Sequence, residues 1–326
     1  MKIQRKTYQL GIVIALFFFM SCKKDTIEIS VETVPFPLKT DLFSAHFLDG
    51  QNGFVCGGIK SESGYIFKTT DGGNSWEEVY SSDKFLKDIS FLNMEIGYAC
   101  GDSILILKTE DGGNSWFKME YPWIPAPNYI LPLNHVEIVN DSIVYVTGGG
   151  EFAKGLVFRT RNWGWWWYFD LFENELSDSH FKTYDEGIFC GYGAMDKTTD
   201  GGQSYQPIDI KGDFYTAMHF IDDNTGFACG YNGGIYKTTD GGDSWEKIHR
   251  TNFVGKRLHF NDIAFSDTRN GIIVGNNGVA LITNNGGNDW NEVSSFTDKN
   301  LLSVFSSMDG FVWITAQNGL LFKFKL

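Results

Sequence analysis

From about residue 40 onward, short apolar runs alternate with clusters of Gly, Asn and Asp, and no segment carries the 3.6-residue apolar period of a helix. One stretch shows the unit. Residues 216–221 (TAMHFI) predict a first strand, 222–226 (DDNTG) a turn and 227–231 (FACGY) a second strand. A turn at 232–234 leads to a third strand at 235–238 (IYKT), and 238–245 (TTDGGDSW) turns the chain into a fourth over 245–249. The last motif recurs at 69–76 (TTDGGNSW) and 109–116 (TEDGGNSW), and more weakly at 198–205 (TTDGGQSY), 283–290 (TNNGGNDW) and 160–167 (TRNWGWWW). Its acidic or Asn position falls at 71, 111, 162, 200, 240 and 285, spacings of 40, 51, 38, 40 and 45 residues. That is the length of a four-stranded propeller blade.

The pattern predicts an all-β, seven-bladed β-propeller of four-stranded antiparallel blades over residues 40–326. A seventh copy begins at residue 300 and ends after its third strand, where a further box would fall near residue 325. Residues 26–34 (TIEISVETV) alternate polar with apolar and are expected to supply the missing outer strand, joining both ends in one sheet and protecting its edges. The repeated box has a structural logic. Its acidic or Asn residue (Asp71, Asp111, Asn162, Asp200, Asp240, Asn285) can accept hydrogen bonds from N–H groups inside the turn, while the glycines tolerate positive φ. Its terminal aromatic (Trp76, Trp116, Trp167, Tyr205, Trp245, Trp290) then covers the hairpin. Such boxes are expected to hold the fold rather than a ligand.

The N-terminus adds an address. Lys2, Arg5 and Lys6 precede an apolar run at 10–20 (LGIVIALFFFM), too short to span a bilayer, followed by Ser21-Cys22. This resembles the lipobox of bacterial lipoproteins, particularly those of the Bacteroidota. The resemblance implies a signal peptide at 1–21, lipidation of Cys22, a tether and closing strand at 22–39, and attachment to the inner or outer membrane of a cell envelope. Several acyl chains at one site anchor stably. The full chain already carries −13, and losing residues 1–21 removes three positive charges and no negative one. This balance excludes an ordinary nucleic-acid binder and disfavours electrostatic attachment to anionic lipid. Cys56, Cys100, Cys190 and Cys229 are four copies of one repeat position, so they should be free, buried thiols too far apart to pair.

The combined signature, exemplified by Phe220-x-Asp222-x-x-x-Gly226-x-x-x-Gly230 and then Ile235-x-Lys237-Thr238-x-Asp240-Gly-Gly-x-x-Trp245, resembles the photosystem II assembly/stability factor-like family of BNR/Asp-box propellers. The resemblance covers about residues 40–326. It implies a non-enzymatic scaffold for protein binding or assembly, acting as a monomer with no cofactor and touching the membrane only through its lipid. The matching residues are the structural ones, so no binding residue carries over. Sialidases share the box, but their arginine triad is missing: Arg159, Arg161, Arg250, Arg257 and Arg269 are the only arginines after residue 21, and none lies before the position adjoining the third box. A sialidase-like hydrolase is therefore the least favoured reading.

The departures from the repeat carry the candidate chemistry. Insertions place Tyr121, Trp123 and Tyr129 between blades 2 and 3, and Arg250, Phe253, Lys256 and Arg257 between blades 5 and 6. Phe152 and Lys154 lie in a lengthened loop of blade 3. All emerge on the face opposite the boxes, and aromatic and arginine side chains are the usual anchors of protein interfaces. A glycan is a second candidate partner, because Trp163, Trp165 and Trp166 accompany the structural Trp167. His46, His180 and His219 share one position near the channel and are weak metal candidates. They are expected to pack between blades, since those blades are not all neighbours and no carboxylate is expected at that position.

Overall fold

The computed structural model describes residues 26–121, 130–210, 212–248 and 258–326. Among these, seven four-stranded antiparallel sheets are arranged as blades. Their innermost strands are Asp41–Phe47, Leu86–Phe91, Leu133–Ile138, Leu176–Phe181, Tyr215–Phe220, Phe260–Phe265 and Leu301–Ser306. The expected all-β, seven-bladed propeller is what forms. Each blade runs outward in chain order, except the seventh, whose outer strand is N-terminal.

That closure is narrower than the alternation of residues 26–34 suggested. Only Glu32–Val34 pairs with Leu321–Lys325, in the register Glu32↔Lys323 and Val34↔Leu321. Upstream, Ile27 forms a parallel bridge with Val293 at the outer edge of blade 6. The N-terminal segment therefore straps two blades rather than completing one. The outer strands of blades 2, 4, 5 and 6 are also only two residues long; in blade 5 it is Glu246–Lys247, shorter than the expected 245–249.

The apolar core consists of clusters between neighbouring blades. The Phe closing an inner strand stacks on the second strand of the preceding blade: Phe47 on Trp313 (3.8 Å between ring centroids), Phe91 on Phe54 (4.2 Å) and Phe265 on Phe227 (4.7 Å). The box aromatic then meets that Phe edge-on, as Trp116 does at 5.7 Å and Trp290 at 5.8 Å. Burying each such ring contributes roughly 1.5–3 kcal/mol. Cys56, Cys100, Cys190 and Cys229 are buried, unpaired thiols, as their equivalent repeat positions required.

The boxes are self-contained turns. Asp71 accepts from the Ser75 N–H (2.8 Å), the Ser75 hydroxyl (2.6 Å) and the Thr69 hydroxyl (2.9 Å), while Thr69 Oγ1 accepts from Gly73 N–H (2.9 Å). The copies at Asp111, Asp200 and Asp240 repeat this scheme, and Asn162 and Asn285 keep its Thr and backbone bonds. The lysine preceding the box threonine joins neighbours: Lys68 donates to Gly112 O (2.8 Å) in the next blade's box, and Lys108 to Trp163 O (3.0 Å). Carboxylate, threonine and lysine are thus committed to holding the ring together.

Candidate functional site

Every inner strand contains a β-bulge at the same place, between Leu42 and Ser44 in blade 1 and between Leu86 and Asp88 in blade 2, and so around the ring. The extra residue turns two consecutive side chains toward the axis. Lys87 with Asp88, Asn134 with His135, and Asn261 with Asp262 consequently line one cavity of about 340 Å³. It opens on the face away from the boxes. A second cavity of about 360 Å³ continues toward the box face and shares Ser44, Asp88, His135, Asp178, Asp262 and Ser303 with the first. Together they form the channel.

Channel side chains latch neighbouring blades. Asp88 Oδ2 accepts from Val136 N–H (2.9 Å), Asp178 Oδ2 from Met218 N–H (2.7 Å) and Asp262 Oδ2 from Val304 N–H (2.8 Å). Closer to the mouth the direction reverses. Asn134 donates to Leu176 O (2.7 Å), Thr216 to Phe260 O (3.1 Å) and Asn261 to Leu301 O (2.7 Å).

His135 sits between Asp88 (3.0 Å from Nδ1) and Asp178 (3.2 Å from Nε2). Burial opposes its charged form, but Asp178, Asp88 and Glu137 outweigh burial and hold its pKa well above the usual histidine value. Asp88 is correspondingly lowered: burial raises it, and the bonds from His135, Val136 and Ser44 more than compensate. Asp178 remains raised by burial despite His135. Among the described residues Asp262 has no ion-pair partner; burial, helped by the charge of Asp178, pushes it up to about 7 against the bonds from Val304 and Ser303.

His46, His180 and His219 do face the channel, near the box side, in the second cavity. The expectation that no carboxylate shares their position needs correction. Glu137 occupies it in blade 3, in register with Tyr145 as His46 is with Phe54. Its Oε1 accepts from Phe181 N–H (3.1 Å), another latch between blades. The histidines lie against rings: His180 stacks on Phe220 (4.5 Å), His219 on Phe265 (5.8 Å) and His46 leans on Phe305 (4.7 Å). Burial lowers both His46 and His219 to about 4, leaving them neutral at pH 7. Among the described residues no group of three or more His, Cys, Asp or Glu is arranged to hold a metal.

Of the residues expected at an interface, Trp123, Tyr129, Arg250, Phe253, Lys256 and Arg257 lie outside the described residues, as does Cys22. Tyr121 covers Phe158 of blade 3, ring to ring at 5.4 Å. Lys154 pairs with Glu151 (2.8 Å). Phe152 is brought to the channel mouth, where its ring meets Tyr192 (5.0 Å) and Phe214 (6.0 Å). Phe214 and Tyr231 line the mouth cavity itself. Glu151 and Phe152 both adopt left-handed φ, +59° and +61°, a conformation costing a bulky residue about 1 kcal/mol or more. Yet Phe152 remains 55% exposed and Tyr192 45%.

The box face carries its own anomaly. Trp163 has φ +61° where five other boxes place glycine, and Trp163, Trp165 and Trp166 are 51%, 84% and 52% exposed, whereas Trp167 is fully buried. Arg159 pairs with Asp170 (3.1 Å) and Arg161 with Asp185 (2.9 Å), and no arginine lines either half of the channel among the described residues.

Repeat, box turns and latched channel define the class: a closed, seven-bladed Asp-box β-propeller. The profile of the Photosynthesis system II assembly factor YCF48 family matches residues 24–168 and 207–299, and the chain belongs to that family. Among solved structures, one described as YCF48 bound to D1 peptide is 18% identical, with a TM-score of 0.73 over 92% of this chain and 99% of that one. YCF48 from Cyanidioschyzon merolae is 17% identical, with a TM-score of 0.71 over 91% and 99%. The WD40 β-propeller domain of Doa1 is similar in fold alone, at 12% identity and a TM-score of 0.69 over 90% and 95%. No curated protein matches this chain in sequence.

Proposed function

We propose that this chain is a non-catalytic scaffold that holds a segment of a partner protein over the channel mouth, on the face opposite the boxes. The observation that carries the reading is Phe152, held in a strained backbone conformation so that an exposed ring joins Tyr192 and Phe214 at that mouth. The corresponding turns of other blades also hold left-handed residues (Ser61, Ser103, Ile104, Asn277 and Asn318), so it is the exposure of the Phe152 ring beside two further rings that points to a binding role. Membership of an assembly-factor family supports it, and the relative described as bound to a D1 peptide extends the ligand class, polypeptide, to this chain. The lipobox-like sequence ending at Cys22 supports an envelope lipoprotein, with its partner in the same envelope. Asp88, Asp178 and Asp262 each latch one blade to the next, a structural use that supports a scaffold over a sialidase or glucanase.

Affinity capture from detergent-solubilised envelope tests the reading, comparing wild type with Phe152→Ala, Trp123→Ala and Arg257→Ala. A partner recovered by wild type and lost by Phe152→Ala is expected. Equal recovery by all three variants, or turnover of a sialidase or glucanase substrate, would overturn it. A second reading, stacking of a sugar ring on the box face, has its support in exposed Trp163, Trp165 and Trp166. Retention on a glycan array that is lost in Trp165→Ala would favour it.

A further inference from the structure

Negative groups outnumber positive ones at the channel mouth. Its cavity is lined by four carboxylates, Asp88, Glu175, Asp178 and Asp262, against Lys87 and His135. His135 is already divided between Asp88 and Asp178. Among the described residues Asp262 meets the Ser303 hydroxyl (2.7 Å) and the N–H groups of Val304 (2.8 Å) and Ile263 (2.7 Å). Asn134 donates its amide to Leu176 O while its buried Oδ1 has no hydrogen-bond partner among the described residues. A buried acceptor without a donor is costly and uncommon in folded proteins.

Independently, the rim of the same cavity is aromatic. Phe214 and Tyr231 line it, and Phe152 and Tyr192 extend the cluster onto the exposed surface. Aromatic faces attract cations, above all where the charge is partly desolvated. Carboxylates in excess at the bottom and aromatic faces at the rim are complementary to one kind of ligand group. It has an apolar stem and a positive, donor-bearing tip.

Resting on the reading of this mouth as a protein-binding site, we infer that it recognises a lysine or arginine side chain projecting from an extended segment of the partner. The stem lies against Phe214 and Tyr231, and the tip enters between Asp178 and Asp262. The raised pKa values of Asp178 and Asp262 agree with a site that lacks its cation. This polarity also suits an acidic protein whose association with basic partners is steered by charge.

The test uses the chain from residue 22 onward and seven-residue peptide libraries in which the central position is fixed as Lys, Arg, Ala or Glu. Binding to wild type is compared with Asp262→Asn, Glu175→Gln and Phe152→Ala, each checked for an unchanged circular-dichroism spectrum. Lys- and Arg-centred peptides should bind about tenfold more tightly than Ala-centred ones, the gain of one charge-assisted hydrogen bond. Asp262→Asn or Glu175→Gln should reduce that preference several-fold, and Phe152→Ala should weaken all peptides together. Equal binding of Lys-, Ala- and Glu-centred peptides, or a preference untouched by both charge variants, overturns the cation site but leaves the mouth a protein-binding one. Absence of binding by every library overturns both.

Discussion

Replacing Asp262 with asparagine keeps the shape of the blade 6–7 latch, and an amide oxygen can still accept from Val304 N–H. What it removes is a carboxyl group whose folded-state pKa is about 7 rather than 3.8. Below the unfolded value both states are protonated, and the group contributes nothing to stability. Between 3.8 and about 7 the unfolded chain releases the proton while the folded chain retains it, so stability falls as pH rises; above 7 the penalty is complete. A shift of this size corresponds to about 4 kcal/mol in full, of which about 2.5 kcal/mol develops between pH 5 and pH 8. The lost hydrogen bond, about 1 kcal/mol, does not depend on pH. The other titratable groups around the cavity, Lys87, Asp88, His135, Glu175 and Asp178, are present in both proteins, so the difference between variant and wild type isolates position 262 together with its coupling to Asp178. Urea unfolding followed by tryptophan fluorescence at pH 5, 6, 7 and 8 measures it. Relative to wild type, Asp262→Asn should gain stability steadily across that range and be the more stable protein at pH 8. A difference that stays constant with pH would show that Asp262 is ionised in the folded protein and that the channel carries no uncompensated acid.

Deleting residues 26–34 removes the strand paired with Leu321–Lys325 and uncovers the cluster around Val34 and Trp313, so the melting temperature should fall sharply; a truncated protein that melts with the full one would refute the closure. Thr69→Val keeps the volume of a buried side chain but strips three hydrogen bonds from the first box, and chemical denaturation should show a loss of about 1–2 kcal/mol. Burial pushes the thiols of Cys56, Cys100, Cys190 and Cys229 above their ordinary pKa, so all four should resist a thiol reagent at pH 8 until the protein is unfolded, and rapid native labelling would contradict their placement.

The fold was legible because each blade repeats the same solution to the same local problem. The Thr–Asp–Gly–Gly–x–x–Trp box announces its own turn, and the lone unpartnered third strand at the C-terminus pointed to its N-terminal complement. The site was less legible for two physical reasons. Period-two counting finds His46, His180 and His219 facing the channel, and the same parity reaches Asp88 and Asp178 two positions earlier. It fails at Lys87, Asn134 and Asn261, because the bulge resets the alternation just before them. Glu137 escaped because the blade 3 inner strand ends in Ile138 and lacks the closing Phe that aligns five of the other copies. Phe152 was legible as an irregularity, but its meeting with Tyr192 and Phe214 depends on three loops from three blades, which no local pattern encodes.

A photo-crosslinking amino acid placed in the chain in living cells tests the central claim most directly. Introduced at Phe152, at Tyr192 and, as the box-face control, at Trp165, it should yield a covalent adduct with a partner protein from the first two positions and none from the third. Adducts from position 165 alone, or from none of the three, would contradict a scaffold that works through its channel mouth.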